Sequence, residues 1–489
     1  MTNKKPSPSY SITMRMEILN KPGMFGKVAS TIGEVGGDLG SIDIYAVDGD
    51  KIIRDVTISA QDFDHARQIV AAVNKVRGIR VLRWSDLTFE MHQGGKISMV
   101  SKVPLKNRGA LSMAYTPGVA RVCMAIAEND YNAYNLTIKN NMVAIVSDGT
   151  AVLGLGDIGP HAALPVMEGK AMLFKEFGGV DAFPICLDTK DPAEIIKTCK
   201  YLAPGFGGIN LEDISAPRCF EIEEVLRKEL DIPVFHDDQW GTAVITLAGV
   251  INYAYLSDKK MEHLKIVING AGAAGIRITE MLKSAGCRDI ILCDSKGVIR
   301  KNRGDLRGKK LEHAAETPCK TVGEAMKGAD VFIGVSVAGC IKQEDVMHMA
   351  ECPAIFAMAN PDPEIRPEEV AECMRGKKYV MATGRSDYPN QINNVLGFPF
   401  LFRGALDVLA SSINLEMKKA ASEALAQLAR KQVPEEIKRL YSLPQLEFGF
   451  DYIIPKPFDA RLFVDVPFAV AEAAVKSGVA GSTNIANYK

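Results

Sequence analysis

Strand-like runs of Val, Ile and Leu alternate with helical runs after about Met99, and this alternation constrains the fold more than any other feature. The runs MVAIVSDG, GGINLED, IPVFHDD, KIVINGAG and DIILCDSKG each end in polar or glycine residues. Nearly continuous apolar strands separated by helices are typical of parallel sheets covered on both faces. The sequence therefore predicts an α/β fold here, followed by a mostly helical segment after Asn393.

The first ninety or so residues follow another pattern, in the order strand, helix, strand, strand, helix, strand. This order predicts a ferredoxin-like α+β unit. It resembles an ACT domain in its element order and in the turn NKPGMFG, and the resemblance implies that this turn binds a small regulatory molecule. The candidate effector residues are Asn20, Gly23, Met24 and Phe25. A purely structural role in oligomer contacts stays open, because a fold alone does not give a function.

Composition favours a soluble globular protein of several domains. The 489 residues are 47% hydrophobic and 24% charged, with a net charge of -1, so no global field attracts nucleic acid or an anionic membrane. The N-terminus has no apolar stretch typical of a secretory signal, and the longest apolar run, residues 243–256, is too short to span a bilayer. Ten cysteines without a C-x-x-C pair suggest reduced thiols. We expect a cytoplasmic protein without nucleic-acid or membrane partners.

The pattern G-x-G-x-x-G occurs twice, beginning at Gly154 and at Gly270. The second follows the strand KIVIN and opens a helix, and the next strand ends at Asp294, as in a dinucleotide-binding β-α-β unit. Its glycines let a pyrophosphate approach a helix N-terminus. The predicted cofactor residues are Gly270, Ala271, Gly272, Ala273, Ala274, Gly275 and Asp294. The first match is followed by Pro160, with no clear helix before about Val166, and is interpreted as a substrate-side loop.

Asp294 bears on the choice between NAD and NADP. A carboxylate at this position accepts hydrogen bonds from the ribose hydroxyls and repels a 2′-phosphate. Ser295 and Lys296 follow directly and weaken this repulsion. We therefore favour NAD and leave NADP open.

Two acidic pairs end neighbouring strand-like runs. Glu212 and Asp213 follow GGINL, Asp237 and Asp238 follow IPVFH, and a helix-like segment, residues 218–229, joins them. Parallel strands joined by one crossover helix have adjacent carboxyl ends, where α/β proteins bind ligands. Several carboxylates in one small site need a cation, and oxygen ligands favour Mg²⁺ or Mn²⁺. Taken singly, each acid would instead cap a helix or pair with a lysine.

Together these motifs resemble those of malic enzyme, in its smaller prokaryotic form with the ACT-like unit added in front. The resemblance runs from about Leu105 to the C-terminus. It is carried by AYTPGV from Ala114, SDGT from Ser147, LGLGDIG from Leu153, EGK from Glu168, LED from Leu211, DDQWGTA from Asp237, the GAGAAG loop, ANP from Ala359 and NNV from Asn393. It implies metal-dependent oxidative decarboxylation of (S)-malate to pyruvate and CO₂ with NAD(P), by a homodimer or larger homo-oligomer.

The resemblance also implies roles for individual residues. Lys170 would take the proton from the malate hydroxyl, Tyr115 would protonate the enolate carbon, and Asp237 would set the charge of Lys170. The implied metal ligands are Glu212, Asp213 and Asp238. The implied substrate or nicotinamide contacts are Lys170, Asn360, Asn393 and Asn394. His161 and His236 receive no chemical role and are expected to be structural.

One position departs from the family pattern. Ala151 stands where larger members have an arginine that contacts malate, so the substrate cation must come from elsewhere, such as Arg385 or a neighbouring subunit. Two other functions remain open, namely a metal-free NAD-dependent amino-acid dehydrogenase and an amino-acid sensor with an inactive enzyme half. The expected domains are residues 10–90 (ACT-like), 91–240 (substrate and metal), 241–412 (Rossmann) and 413–489 (helical).

Overall fold

The computed structural model describes residues 6–152 and 154–485, in two compact units, Met1–Val100 and Ser101–Lys489. Two features discussed above lie partly outside the described residues. They are Leu153, which begins the LGLGDIG motif, and residues 1–5, which belong to the N-terminal stretch where no secretory signal is expected. Each unit has its own hydrophobic core.

The first unit is a four-stranded antiparallel sheet with strand order β2-β3-β1-β4. Its elements are β1 (Ser7–Leu19), α1 (Met24–Glu34), β2 (Asp38–Asp48), β3 (Lys51–Ala60), α2 (Phe63–Asn74), β4 (Ile79–Asp86) and α3 (Leu87–His92). Alternate residues of β1, from Ile12 to Ile18, are buried, as expected for a strand with one face on the core, and they pack with Val28 and Ile69 of the helices. The predicted element order and ferredoxin-like arrangement are confirmed.

The second unit begins with a helical segment and a four-stranded parallel sheet of order β6-β5-β7-β8. Its elements are α4 (Arg108–Ala114), α5 (Val119–Glu128), α6 (Asn132–Leu136), β5 (Met142–Ser147), α7 (Gly159–Gly178), β6 (Asp181–Cys186), α8 (Pro192–Leu202), β7 (Gly208–Leu211), α9 (Arg218–Glu229), β8 (Val234–His236) and α10 (Asp237–Leu256). The strands predicted from GGINL and IPVF and the helix between them are confirmed.

Two helices begin earlier than the sequence indicates. Helix α7 begins at Gly159, not near Val166, because Pro160 occupies a first-turn position, where its fixed φ suits a helix and its missing N–H is not needed. Helix α10 begins at Asp237, ahead of the apolar run at residues 243–256, so both acids lie in its first turn. Negative side chains are favourable there, because the N-terminal end of a helix carries partial positive charge.

The second parallel sheet has the order β11-β10-β9-β12-β13-β14-β15, with only the edge strand β11 antiparallel. Its elements are β9 (Lys265–Asn269), α11 (Ala273–Ser284), β10 (Asp289–Asp294), β11 (Gly297–Val298), α12 (Gly308–Glu312), α13 (Val322–Met326), β12 (Val331–Gly334), α14 (Gln343–Met347), β13 (Ala354–Ala357), α15 (Pro367–Cys373), β14 (Val380–Thr383) and β15 (Asn390–Gln391). The predicted β-α-β unit at the second glycine pattern is confirmed as β9-α11-β10.

The chain after Asn393 is helical, as predicted, and consists mainly of α16 (Phe398–Asp407), α17 (Leu415–Arg430), α18 (Glu435–Leu440) and α19 (Leu462–Lys476). Helix α16 packs on α7 through edge-to-face contacts of Phe174 with Phe398 and Phe402, with ring centroids 4.7 and 5.3 Å apart. The expected boundary between residues 240 and 241 falls inside α10, which continues unbroken from the first sheet towards the second.

The segment Arg108–Glu128, here called the arm, contains α4 and α5, and neither helix has a buried residue. Among the described residues, the hydrogen bonds of the arm stay within residues 107–132. By length and composition alone it is also the one described helical stretch apolar enough to cross a membrane, with a mean hydropathy of 1.3. However, α4 has 7 residues and α5 has 10, whereas a membrane-spanning helix needs about 20.

Candidate active site

The carboxyl ends of β7 and β8 lie side by side, with Leu211 paired to His236. The two acidic pairs that follow these residues therefore meet. Carboxylate oxygens of Glu212, Asp213 and Asp238 lie within 4.8 Å of one another. The structure thus brings together the three residues that the family resemblance assigns to a metal.

This carboxylate cluster fits a divalent cation. Oδ2 of Asp213 is buried and has no hydrogen-bond partner among the described residues. Burial and the negative charge of Asp238 raise the pKa of Asp213 to about 8, and burial raises the pKa of Glu212 well above its usual value. Raised pKa values of this kind are expected where protein groups do not fully compensate the charges of Glu212 and Asp213. An oxygen-only donor set suits Mg²⁺ or Mn²⁺.

The backbone of Asp213 is left-handed, with φ 54°. Non-glycine residues adopt this conformation rarely and need surrounding contacts to hold it. Here the N–H groups of Thr150 and Ala151 donate to the Asp213 carbonyl at 3.1 and 2.9 Å. The loop after β5, which carries the SDGT motif, therefore holds Asp213 in place. Ala151, where the family pattern has an arginine, contributes its backbone to this support.

Lys170 extends from α7 into the acidic cluster. Its Nζ lies 2.5 Å from Oδ2 of Asp237 and 2.9 Å from Oε1 of Glu212, and 4.1 Å from the centre of the Phe398 ring. Burial lowers the pKa of Lys170, but Asp237 and then Glu212 outweigh it and hold the pKa above its usual value. The ammonium is therefore charged while it alone faces these carboxylates. A cation on Glu212 would remove part of that stabilisation.

Asp237 has no exposed surface and is held from two sides. Its Oδ2 accepts from Lys170 and, at 3.0 Å, from Nδ2 of Asn394, whose Oδ1 accepts from Thr242. A Cβ on Gly241, one helical turn later, would lie 1.9 Å from Oδ1 of Asp237. Only glycine leaves room for the carboxylate to fold over the helix, which explains the glycine in DDQWGTA.

The other predicted substrate residues are placed differently. Oδ1 of Asn393 accepts from the N–H of Val395, and its Nδ2 reaches the Gly384 carbonyl at 3.4 Å. Asn360 also borders Gly384, since a Cβ there would lie 3.0 Å from Asn360 Nδ2. A Cβ on Gly154 would lie 3.2 Å from the Asn360 carbonyl oxygen. The first glycine loop therefore lies beside Asn360, whereas Asn394 contacts Asp237.

The second glycine loop fits a pyrophosphate. A Cβ on Gly275 would lie 1.7 Å from the Gly270 carbonyl oxygen, so only glycine permits the close turn before α11. Gly272 faces open space just before the helix begins at Ala273. The free N–H groups at that N-terminus favour an anion. Ala271, Ala273, Ala274 and the three glycines thus make up a loop whose shape fits a phosphate group.

Asp294 ends β10 as predicted, but its carboxylate is already bound by cations. Oδ1 accepts from Arg303 at 2.8 Å and from the Lys296 N–H at 3.0 Å, while Oδ2 accepts from Arg303 and Lys310 at 3.1 Å. Burial raises the pKa of Asp294, but Arg303 and Lys310 outweigh it and hold the pKa below its usual value. Arg303 and Lys310 follow Asp294 by 9 and 16 residues. No local sequence pattern connects them with Asp294, so the sequence did not indicate these contacts.

Tyr115 directly follows α4 on the arm, and 70% of its surface is exposed. No hydrogen bond joins it to Lys170 within the described ranges. Arg385, suggested as a substrate cation, is paired with Asp387 at 2.7 Å. Arg218 is not among the predicted site residues, yet it donates to Thr150 Oγ1 at 2.9 Å and lies 3.0 Å from Oδ2 of the buried Asp148. The buried aspartate in SDGT is the signal that could have indicated such a partner.

Comparison with known protein families gives two matches. Residues 94–227 match the family described as malic enzyme, N-terminal domain, and residues 240–448 match that described as malic enzyme, NAD binding domain. The first range contains Lys170, Glu212 and Asp213, the second contains the second glycine loop, and Asp237 and Asp238 fall between the two ranges.

Individual relatives give the same result. The chain is 54% identical over 481 residues to an NAD-dependent malic enzyme of Geobacillus stearothermophilus, covering 98% of this chain and 97% of that protein. It is 52% identical over 411 residues to a probable NADP-dependent malic enzyme of Rickettsia prowazekii, covering 83% of this chain and 53% of that longer protein. The crystal structure of an NAD-dependent malic enzyme from Thermotoga maritima superposes with a TM-score of 0.72 at 44% identity, covering 78% of this chain and 98% of the other.

Proposed function

This chain belongs to the malic enzyme family, and on that premise we propose that it converts (S)-malate to pyruvate and CO₂ and transfers a hydride to NAD or NADP. One observation carries the proposal: the Lys170 ammonium lies between Asp237 and Glu212, at the edge of a cluster of three carboxylates. An oxidative decarboxylase needs a base for the hydroxyl proton beside a cation for the developing negative charge.

We assign Lys170 as the base that accepts the proton of the C2 hydroxyl. A lysine can do so only when neutral, and the carboxylate contacts favour its charged form. With a cation on Glu212, Asp213 and Asp238, the lysine would lose most of the effect of Glu212 and keep Asp237 as its fixed partner. A divalent cation held by Glu212, Asp213 and Asp238 would supply Lewis-acid charge, and a nicotinamide dinucleotide at the second glycine loop would supply the hydride acceptor. Asn394 contributes by holding Asp237.

The remaining step is protonation of the enolate carbon left after CO₂ departs, which we assign to Tyr115. Its exposed position leads us to propose that each active site takes Lys170 from one copy of the chain and Tyr115 from a second copy. Three apolar residues of the arm support this, since Leu111, Met113 and Met124 are each at least half exposed. Exposed apolar surface of this kind is typical of an interface. The composition of the arm also allows its apolar surface to contact a membrane instead of a second copy of the chain.

We propose that NAD is the preferred acceptor and that NADP is also used. The carboxylate of Asp294 disfavours a 2′-phosphate, whereas Arg303 and Lys310 beside it would attract one. The relatives include an NAD-dependent and a probable NADP-dependent malic enzyme. This is consistent with a site that has both a carboxylate and two cations. A cytoplasmic location accords with this use of soluble cofactors.

We further propose that the first unit regulates activity through a small metabolite at the turn Asn20–Gly26. Gly23 in this turn has φ 81° and precedes α1, and the N–H of Asn20 donates to the Asp50 carbonyl at 2.7 Å. An amino-acid panel in the activity assay of the full chain is the test. Effector-dependent activity that persists unchanged in Gly23→Val and Phe25→Ala variants would place the effector elsewhere.

The test of the main proposal is an assay with L-malate and Mn²⁺ that compares NAD with NADP and measures pyruvate and CO₂ together. Equal amounts of reduced cofactor, pyruvate and CO₂ are expected, and a chelator should abolish the reaction. Reduction without CO₂ would contradict decarboxylation. Turnover of an amino acid that survives chelation would favour the metal-free dehydrogenase. No turnover under any condition would favour the sensor.

A further inference from the structure

A buried chain of hydrogen bonds connects helix α11 with the carboxylate cluster. Nε of Arg277 donates to Oε1 of Gln239 at 2.7 Å. Nε2 of Gln239 lies 2.6 Å from Nδ1 of His236, and Nε2 of His236 lies 3.1 Å from Oδ2 of Asp238. The chain therefore ends on one of the three candidate metal ligands.

The direction of this chain is determined by its first member. A guanidinium has only donors, so the oxygen of the Gln239 amide must face Arg277 and its NH₂ group must face His236. Nδ1 of His236 then accepts, and the ring proton is on Nε2, where it donates to Asp238.

Arg277 is a rigid anchor for the chain. It is 4% exposed, and its other nitrogens bind Glu280 at 2.8 Å and Glu223 at 3.2 Å. Its guanidinium also lies 4.7 Å from the centre of the Trp240 ring. His236 and Gln239 have no exposed surface. Packing therefore determines the orientation of all three side chains, as a support for a metal ligand requires.

Two N–H donors converge on one oxygen of Asp238. Besides His236, the backbone N–H of Asp213 donates to Oδ2 at 2.8 Å. Within the described part of the chain, hydrogen bonds reach Asp238 only at this atom. Oδ1 is left for another partner, and the carboxylate plane is set by the two donors to Oδ2.

We propose that Arg277, Gln239 and His236 are positioning residues that orient Asp238 for a divalent cation. This inference rests on the metal role of Asp238 in the proposed function. It replaces the expectation that His236 is merely structural. This chain of hydrogen bonds begins on α11, the helix that follows the second glycine loop. The orientation of the metal ligand Asp238 therefore depends on Arg277, a residue that belongs to the second parallel sheet and its helices.

The test is the Mn²⁺ affinity of the full-length, folded protein, measured by electron paramagnetic resonance without malate or dinucleotide. His236→Leu removes the donor to Asp238 and is expected to weaken Mn²⁺ binding about 10- to 100-fold, the usual effect of losing such a support. His236→Gln places an amide N–H at similar reach and should recover most of the affinity. Equal, severe losses in both variants, or Mn²⁺ binding by His236→Leu within about twofold of wild type, would overturn the proposal.

Two controls separate this inference from the proposed function. Asp238→Asn should weaken Mn²⁺ binding; if it does not, or if wild type binds no Mn²⁺, the metal assignment and the inference fail together. If only Asp238→Asn weakens binding, the inference alone fails. Asn252→Leu removes another buried polar group of α10, bonded to the Ala426 and Ile453 carbonyls, and should leave Mn²⁺ affinity unchanged. A loss as large as that of His236→Leu would mean that general loosening is responsible.

A double-mutant cycle tests the chain itself. Arg277→Lys keeps the positive charge near Glu223 and Glu280 but removes the Nε donor to Gln239, and should weaken Mn²⁺ binding. In the His236→Leu background the same substitution should cause no further loss, because the chain is already broken. Additive losses would show that Arg277 does not act through His236.

Discussion

The Nζ atom of Lys170 lies 2.5 Å from Oδ2 of Asp237, a carboxylate with no exposed surface. Asp237 belongs to the first turn of α10 and Lys170 to α7, so the pair joins the two helices that flank the carboxylate cluster. A buried ion pair of this kind depends on both partners, because removing one leaves the other charge uncompensated.

Lys170→Ala should abolish reduction of NAD by malate while Mn²⁺ still binds. Loss of a general base lowers the rate about 10²- to 10⁴-fold, and Glu212 loses a competitor for the cation. Steady-state assays and Mn²⁺ titration measure the two effects. Lys175→Ala is the control, since Lys175 lies on the same helix but pairs with Asp181 near the surface. Near-normal turnover in Lys170→Ala would remove this lysine from the mechanism.

Gly241→Ala should inactivate the enzyme, although alanine normally stabilises a helix over glycine by about 1 kcal/mol. The added Cβ would lie 1.9 Å from Oδ1 of Asp237 and displace the partner of Lys170. Gly33→Ala in α1, where a Cβ meets nothing within 4 Å, should raise the melting temperature and leave activity intact. Thermal unfolding and turnover of both variants test this, and a fully active Gly241→Ala enzyme would contradict it.

Asp294→Ala should weaken NAD binding and improve NADP binding, because Arg303 and Lys310 become free for a 2′-phosphate. A hydrogen bond to a charged group contributes about 1.5 kcal/mol, so the ratio of kcat/KM values should shift towards NADP by about tenfold. Asp305→Ala is the control, since Asp305 also binds Arg303 but is much more exposed than Asp294. An unchanged ratio in Asp294→Ala would show that this residue does not select the cofactor.

The stability of the metal-free protein should fall as the pH rises towards 8. The pKa of Asp213 is raised to about 8, so the folded state holds this proton more tightly than the unfolded state. That contribution is complete below the ordinary aspartate pKa, about 4, and is lost by about 1.4 kcal/mol per pH unit up to the raised value. Chemical unfolding in EDTA, compared with Asp213→Asn, measures it. Parallel curves for the two proteins would refute the assignment, and saturating Mn²⁺ should remove the dependence.

Mixing inactive Tyr115→Phe and Lys170→Ala proteins should restore activity if each site is shared between two copies. In a symmetric dimer with random exchange, half of the molecules are heterodimers with one intact site, giving about a quarter of wild-type activity. Subunit exchange is followed by activity and light scattering. No recovery despite confirmed exchange would place both residues in one copy. Arm-dependent binding to lipid vesicles, with a monomeric protein, would favour a membrane as the occupant instead.

Much of the site could be predicted because its residues follow strand ends. The carboxylates after β7 and β8, the glycines around the start of α11 and the acid at the end of β10 are local features of the sequence. The parallel β-α-β connections bring the ends of the joined strands together. The N-terminal ends of α7, at Gly159, and of α10, at Asp237, were harder to predict from the sequence. Proline and acidic residues in a first helical turn are also common in loops, so they do not mark the beginning of a helix by themselves.

The sequence by itself therefore determined the fold class, the order of elements and the residue types that meet at the sheet edge, because hydrophobic periodicity and turn residues act over short distances. Only the tertiary structure decided which partner each polar group has. Asp294 is bound by Arg303 and Lys310, Asp238 is supported through Gln239 by Arg277, and Tyr115 lies exposed on the arm. Such pairings depend on which side chains are buried together, and burial is a property of the folded chain rather than of any local segment.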